Sequence, residues 1–151
     1  MRRLGFLLLT VALVGSAFVS PANAGKRTKK VAESFEAQAV PFVNSQATGT
    51  ERRSCFGGVE DVHWVAQDFT SPGKGTLTAS LEGFTGDWDI ALELPDGVLI
   101  YGINDQTTEM APAEEEVSMP LKKGDAVRIL ACNFLGEPGP LTVNYGGKFK
   151  V

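Results

Sequence analysis

Residues 75–97 read GTLTASLEGFTGDWDIALELPDG, and this stretch decides the fold of the chain. Apolar and polar side chains alternate through two strand-length segments. The apolar positions are Leu77, Ala79, Leu81, Ile90, Leu92 and Leu94. Successive side chains of a β-strand point to opposite faces, so this alternation is typical of strands with one buried face. The turn at Pro95–Gly97 can reverse the chain direction, because Pro95 has a fixed backbone φ angle and Gly97 can adopt a positive one. The stretch therefore predicts an antiparallel sheet.

Further short apolar segments predict strands elsewhere, at 31–40, 62–69, 98–103, 117–121, 126–134 and 141–145. The first of them ends at Pro41, which predicts an edge strand. Residues 126–134 are apolar on both faces, as a central strand is. At 62–69 the inward face is ambiguous: Val62, Trp64 and Ala66 could point inward, or Val65 and Phe69 could, and a β-bulge would reconcile the two sets. Seven to eight short strands separated by Gly/Pro turns predict an all-β chain folded as a single antiparallel β-sandwich.

The first 24 residues are typical of a secretory signal peptide. Two arginines precede an apolar run at 4–19, and a small-residue cleavage pattern ends at Ala24. The run is shorter than the roughly 20 residues of a membrane-spanning helix. We therefore predict cleavage after Ala24, a basic leader at 25–30 too charged to pack, and a sandwich domain at 31–151. The predicted location is secreted, either extracellular or periplasmic, with no membrane span left after cleavage.

The charge of the chain argues against one class of partner. Basic residues number 14 and acidic residues 18, for a formal net charge of −4. Loss of Arg2 and Arg3 with the signal peptide makes the mature chain two units more negative. An acidic surface repels phosphate backbones, so we expect no nucleic-acid binding.

The chain contains two cysteines, Cys55 and Cys132. Export places them in an oxidising compartment, and an even count with none left over predicts one intramolecular disulfide. The alternative is a pair of buried thiols. A metal site is disfavoured because neither cysteine has a second ligand at C-x-x-C spacing.

Four segments resemble the bacterial pre-peptidase C-terminal domain family. They are GTLTASLEGF, DWDIALELPDG, LKKGDAVRILACNF and PLTVNYGG. The core of that family is a D-x-D, apolar alternation and a P-x-G or P-D-G turn, which Asp87, Asp89 and Pro95–Gly97 match. The resemblance covers about residues 61–146, although Gly124–Ala126 replaces the family's usual Gly-Thr-Tyr. It implies a small secreted β-sandwich of jelly-roll type that is often appended to exported hydrolases, and it implies a fold more than a role.

Acidic residues around the D-x-D are candidate calcium ligands. Asp87, Asp89 and Asp96 could share an ion, because hard cations take several oxygen ligands and extracellular modules bind them weakly. The alternative is that Asp87 caps the turn before the strand while Asp89 faces solvent. A second acidic cluster, Glu114–Glu116, is predicted to lie in a solvated loop.

Trp88 and Tyr101 are candidate ligand-binding residues. Rigid aromatic side chains can stack on sugar rings or grip a partner at low entropic cost. Trp88 lies between two aspartates at a strand entrance and is predicted to be partly exposed, whereas Trp64 is predicted to lie in the core. The alternative for Trp88 is a packed position in the core, like the one predicted for Trp64.

No catalytic constellation stands out in the sequence. His63 is its single histidine, and the motifs of serine hydrolases, zinc proteases and phosphate-binding loops do not occur in the mature chain. The predicted function is a secreted non-catalytic binding or accessory module that contacts glycan, cell-envelope polymer or another exported protein, with calcium as its candidate cofactor. The alternative is a small secreted hydrolase or protease-directed inhibitor with its active loop at 44–53 or 104–116.

Overall fold

The computed structural model describes residues 27–42, 55, 59–102 and 113–151, and its secondary structure there is entirely β. The eight strands are β1 (Thr28–Ala37), β2 (Trp64–Thr70), β3 (Lys74–Phe84), β4 (Trp88–Glu93), β5 (Leu99–Tyr101), β6 (Ala113–Leu121), β7 (Ala126–Asn133) and β8 (Leu141–Lys150). Across this part of the chain there is no helix able to cross a membrane. The predicted signal peptide lies outside the described residues.

The strands form two four-stranded antiparallel sheets. Sheet A has the order β1-β8-β3-β6 and sheet B the order β2-β7-β4-β5. The pairing is that of one long hairpin folded over on itself: β4 pairs with β5 at its tip, then β3 with β6, β2 with β7 and β1 with β8. Successive pairs alternate between the two sheets, so the architecture is that of the predicted β-sandwich.

The stretch 75–97 forms β3 and β4, but these two strands do not pair. β3 belongs to sheet A and β4 to sheet B, so the turn between them carries the chain from one sheet to the other. The antiparallel partner of β4 is instead β5, with Ala91 opposite Tyr101. This pairing agrees with the predicted turn at Pro95–Gly97 and the predicted strand at 98–103. The faces were predicted correctly: Leu77, Ala79 and Leu81 are all 0% exposed.

The core lies between the two sheets and is built from the inward side chains of both. Its fully buried members include Leu77, Leu81, Trp88, Ile90, Leu92, Ile129, Val143 and Phe149. Burial of each large aliphatic or aromatic side chain contributes about 1.5–3 kcal/mol relative to exposure. From Ile129 to Asn133 both faces of β7 are buried, and the strand has a neighbour on each side, which confirms that 126–134 is a central strand.

The N-terminal strand begins earlier than predicted. Residues 28–30, assigned from the sequence to an unpacked basic leader, pair with Lys150, Phe149 and Lys148 of β8. The prediction was wrong because a strand at the edge of a sheet needs backbone hydrogen bonds and tolerates exposed lysines. The predicted edge position of β1 is confirmed.

No bulge interrupts β2, and of the two alternative inward sets the structure shows Val65 and Phe69. Its register runs unbroken from Trp64 opposite Cys132 to Thr70 opposite Ala126. The strand is apolar on both faces because each face meets a different cluster. Val65 packs against the core between the sheets, whereas Ala66 packs on the outer face of sheet B.

The acidic run Glu114–Glu116 lies in β6, not in a solvated loop as predicted. Glu115 stands opposite Leu81 of β3 and is 6% exposed. Because side chains alternate along a strand, Glu114 and Glu116 point to the outer face and are exposed. The apolar residues that follow them, from Val117 onward, are sufficient to keep β6 in register with β3.

The predicted disulfide between Cys55 and Cys132 is confirmed, with a Cα–Cα distance of 5.2 Å. It ties the segment that precedes β2 to the central strand β7. Around it lies a second apolar cluster on the outer face of sheet B, made of Cys55, Ala91, Leu130 and Cys132 with Trp64, Ala66, Leu99 and Tyr101 against them. The disulfide therefore holds Cys55 against one outer face of the sandwich.

We expect reduction of this disulfide to destabilise the fold by about 4 kcal/mol, because the bond closes a loop with a sequence separation of 77 residues. Urea unfolding of the mature protein with and without dithiothreitol measures the difference. The double variant Cys55→Ser/Cys132→Ser is the control and should not respond to reductant. An unchanged midpoint for the wild type, or two titratable thiols in the unreduced denatured protein, would contradict the assignment.

Candidate functional site

Trp88 cannot form an exposed binding platform. Its side chain is 0% exposed and belongs to the core between the sheets. The loop after β7 closes over it: the N–H groups of Phe134 and Leu135 both donate to the carbonyl oxygen of Asp87. A Cβ atom on Gly136 would lie 2.0 Å from the indole Nε1. The predicted exposure of Trp88 is therefore wrong, and its packed alternative holds.

Trp64 and Tyr101 both lie on the outer face of sheet B, where each is partly buried. Trp64, predicted to lie in the core between the sheets, instead packs beside the disulfide. The guanidinium carbon of Arg128 stands 5.4 Å from the centre of its ring, a cation–π contact worth about 0.5–1 kcal/mol. One face of the indole is thus already occupied by the protein's own side chain.

Arg128 is the centre of an ion-pair network on the same face. It donates to Glu93 at 3.0 Å and pairs with Glu60. The more distant Asp68 is 88% exposed at 3.7 Å, so its contribution is small. The pairing with Glu60 fastens the turn that precedes β2 onto sheet B. The network therefore has a structural use, because Arg128 joins the turn before β2 to β4 and β7.

The structure does not bring the three candidate calcium ligands together. Asp87 precedes β4 and Asp96 follows it, and this six-residue strand alone spans about 17 Å. Asp96 accepts a hydrogen bond from the Val98 N–H at 3.2 Å, as a turn residue does. Asp89 is 8% exposed and does not face solvent. The predicted shared site is wrong, and no group of three His, Cys, Asp or Glu residues within the described ranges could hold a metal ion.

His63 is engaged in a turn. Its Nδ1 accepts a hydrogen bond from the Val59 N–H at 2.9 Å, and its ring centre lies 4.6 Å from that of Phe42. Two loops were predicted as the active loop of a hydrolase or inhibitor. Residues 44–53 and 104–112 lie outside the described residues, and 113–116 form the start of β6.

An open groove of about 540 Å³ crosses the outer face of sheet A, which we call the A face. Its floor consists of small side chains from three neighbouring strands in two cross-strand rows. One row is Ser34–Asn144–Ser80 and the other is Ala32–Gly146–Thr78. The second row continues into β6, where the Thr78 and Ser118 hydroxyl oxygens are hydrogen bonded at 2.7 Å. The groove is therefore open and largely polar, and Glu33 and Tyr145 also line it.

Charged side chains of opposite sign flank this groove at its two ends, and all of them are exposed. The acidic end consists of Glu36, Glu82, Glu114 and Glu116. The basic end consists of Lys30, Lys74, Lys148 and Lys150. No sequence motif predicts this arrangement. The charged residues come from four strands that are distant in the sequence, and only the register between these strands brings them together.

Tyr145 supports the groove from below. Its hydroxyl donates to the Glu33 carboxylate at 2.7 Å, which joins β8 to the edge strand β1. Its ring lies 6.1 Å from those of Phe35 and Phe69. Burial, with the hydrogen bond and negative charge of Glu33 added, raises the pKa of Tyr145 to about 12. The floor of the groove thus rests on packed aromatic side chains.

No family model matches this chain, and no curated protein matches it. Among solved structures it is similar to dimeric latent PorU from Porphyromonas gingivalis, with 14% sequence identity and a TM-score of 0.33. The match covers 86% of this chain and 14% of that chain, so this chain spans about one seventh of the other protein. The class defined here is a two-sheet, all-β domain with one disulfide, and such bonds persist in oxidising compartments outside the cytoplasm.

We expect Gly136→Ala to destabilise the fold by about 1–3 kcal/mol, because the new methyl group would overlap the buried indole of Trp88. Gly139→Ala is the matched control, since no atom lies within 4 Å of the position its Cβ would take. Urea unfolding of both variants gives the comparison. Equal stability of the two variants would contradict the packed position of Trp88.

The raised pKa of Tyr145 predicts a loss of stability at high pH. A raised pKa means that the folded state favours the protonated phenol. This stabilisation is complete below about pH 10, the unfolded value, and is lost as pH rises through about 12. The difference in 295 nm absorbance between wild type and Tyr145→Phe isolates this phenol from Tyr101. A midpoint near 10 in the folded protein would contradict the burial.

Proposed function

We propose that this protein is a secreted, non-catalytic binding module and that the A face is its binding surface. The observation that carries the proposal is the placement of like charges directly opposite one another on neighbouring strands. The three pairs are Lys30–Lys148, Lys74–Lys150 and Glu82–Glu114. Like charges directly opposite one another destabilise a sheet. A partner that brings opposite charges would relieve this repulsion, whereas folding alone gains nothing from it.

The groove between the two charged ends supports the same role. Its hydroxyl and amide groups, from Ser34, Thr78, Ser80 and Asn144, offer donors and acceptors to a partner. The small side chains let a partner approach the sheet closely. Candidate partners are an exported protein, a cell-envelope polymer or a glycan, and the presence of both charge signs favours a protein.

The fold supports the predicted kind of module. The pairing of β1 with β8, β2 with β7, β3 with β6 and β4 with β5 alternates between the two sheets, and this alternation supports a sandwich of jelly-roll type. That is the type implied by the resemblance to the pre-peptidase C-terminal domain family. The Cys55–Cys132 disulfide favours an extracellular or periplasmic location. A non-catalytic role is favoured by His63, whose Nδ1 is used as a backbone acceptor.

Filling the groove should abolish binding without unfolding the protein. Asn144 is exposed at the centre of the groove floor, and Tyr is well accommodated in a strand, so we expect Asn144→Tyr to fold normally. Thr70→Tyr is the matched control, because it adds the same side chain at an exposed site on sheet B. Circular dichroism verifies that both variants are folded.

The binding measurement uses three immobilised probes: purified cell-wall sacculi, a panel of neutral and acidic polysaccharides, and the protein itself. We expect the wild type and Thr70→Tyr to be retained on at least one probe, and Asn144→Tyr to lose at least about tenfold in affinity there, because a Tyr side chain would fill the groove. Equal retention of the two variants, or no retention of the wild type on any probe, would overturn the proposal.

A further inference from the structure

We infer that the partner of the A face is a second copy of this chain, packed face to face about a two-fold axis that runs across the strands. This inference rests on the proposed function, because it names the occupant of the same surface. It is carried by the way the charges are distributed along the strands.

The charges of the A face are segregated by sign. Along β8, the acidic end lies at the level of Thr142, which stands opposite Glu36. The basic end lies at the level of Lys150, which stands opposite Lys74. Eight residues of strand separate these levels, a distance of about 26 Å. Within the described part of the chain, no ion pair neutralises any of the four glutamates or the four lysines.

Segregated charge makes this surface complementary to itself in one orientation only. Two sheets that face each other can be related by a two-fold axis along the strands or across them. An axis along the strands would place glutamates over glutamates. An axis across the strands, through the row of Gly146, places the acidic end of each copy over the basic end of the other. Such an interface is isologous, so the favourable contact is made twice in each dimer.

The centre of the face permits close approach. The row through Gly146 contains Ala32 and Thr78, so no long side chain separates the two sheets at the axis. Four strands about 4.8 Å apart and about 26 Å long present roughly 500 Å² per copy. The total of about 1,000 Å² lies at the lower limit for a specific interface, so the dimer is weak and transient.

A polymer with one sign of charge fits this surface less well. An anionic polysaccharide would be attracted to the lysine end and repelled by the glutamate end, and a cationic chain would meet the reverse. Each of these polymers would therefore be attracted to only one of the two charged ends. A partner with both signs, at the same spacing and in reverse order, matches the whole face, and a second copy of this chain has that arrangement by construction.

Charge reversal at the two ends tests the inference. The variants are Lys74→Glu/Lys150→Glu and Glu82→Lys/Glu114→Lys. Each reverses one directly opposed pair, so each keeps a like-charge pair within its own sheet and should fold like the wild type. Asp68→Lys on the outer face of sheet B is the control for a change in net charge, since its side chain is 88% exposed.

Sedimentation velocity over a concentration series up to about 1 mM measures association, because a dissociation constant of that size corresponds to about −4 kcal/mol. We expect wild type and Asp68→Lys to dimerise at low salt and to weaken at least about tenfold in about 0.5 M NaCl, where the screening length is about 4 Å. Each reversed variant should be monomeric by itself. An equimolar mixture of the two should associate again, because the reversed pair of each variant then faces the reversed pair of the other, which has the opposite sign.

A wild type that stays monomeric over this range, reversed variants that dimerise as the wild type does, or a mixture that fails to associate would each overturn the inference. The groove-filling experiment distinguishes this failure from that of the proposed function. If the wild type is monomeric while Asn144→Tyr still loses its retention on sacculi or polysaccharide, the A face binds a different partner and only self-association is refuted.

Discussion

The register of β8 between β1 and β3 is the constraint on which both faces of sheet A depend. Side chains alternate along a strand, so a slip of one residue would move Val143 and Phe149 to solvent and bring Lys148 into the core. Two glycines oppose such a slip through close backbone contacts. A Cβ at Gly146 would lie 2.2 Å from the Val31 carbonyl oxygen, and one at Gly147 would lie 2.0 Å from that of Thr76. The apolar side of β8 and the charged rows of the A face are therefore specified together.

The two outer faces of the sandwich differ in how their charged side chains are paired. On sheet B, Arg128 is paired with Glu60 and Glu93 and lies over the ring of Trp64, and the disulfide holds Cys55 in the apolar cluster beside it. On that face, Arg128 and the apolar cluster therefore have their partners within the protein itself. On sheet A, lysine stands opposite lysine and glutamate opposite glutamate, and no ion pair among the described residues joins them to an opposite charge. This contrast between the two faces is why we propose the A face, and not the aromatic residues of sheet B, as the binding surface.

Alternation in the sequence predicted which residues share a face far better than it predicted which strands are neighbours. Leu77, Ala79 and Leu81 are buried as expected, yet β3 and β4 belong to different sheets, because periodicity carries no information on pairing. The disulfide followed from cysteine number and export alone. Trp88 was misplaced because its cover comes from residues 134–136, more than 40 positions away in the sequence. The A face was missed for a similar reason, since its charges are spread from Lys30 to Lys150.

The charge pattern of the A face links folding and association with opposite responses to salt. Within one copy, screening weakens the repulsion between Lys74 and Lys150 and between Glu82 and Glu114, so on this face added salt favours the folded monomer. Between two copies, the same screening weakens the attraction of each acidic end for the facing basic end, so added salt favours dissociation. A face shaped only for solubility would show the first effect without the second. The combination of a more stable fold and a weaker dimer at high salt is therefore the physical signature of a sheet whose charges are arranged for a partner.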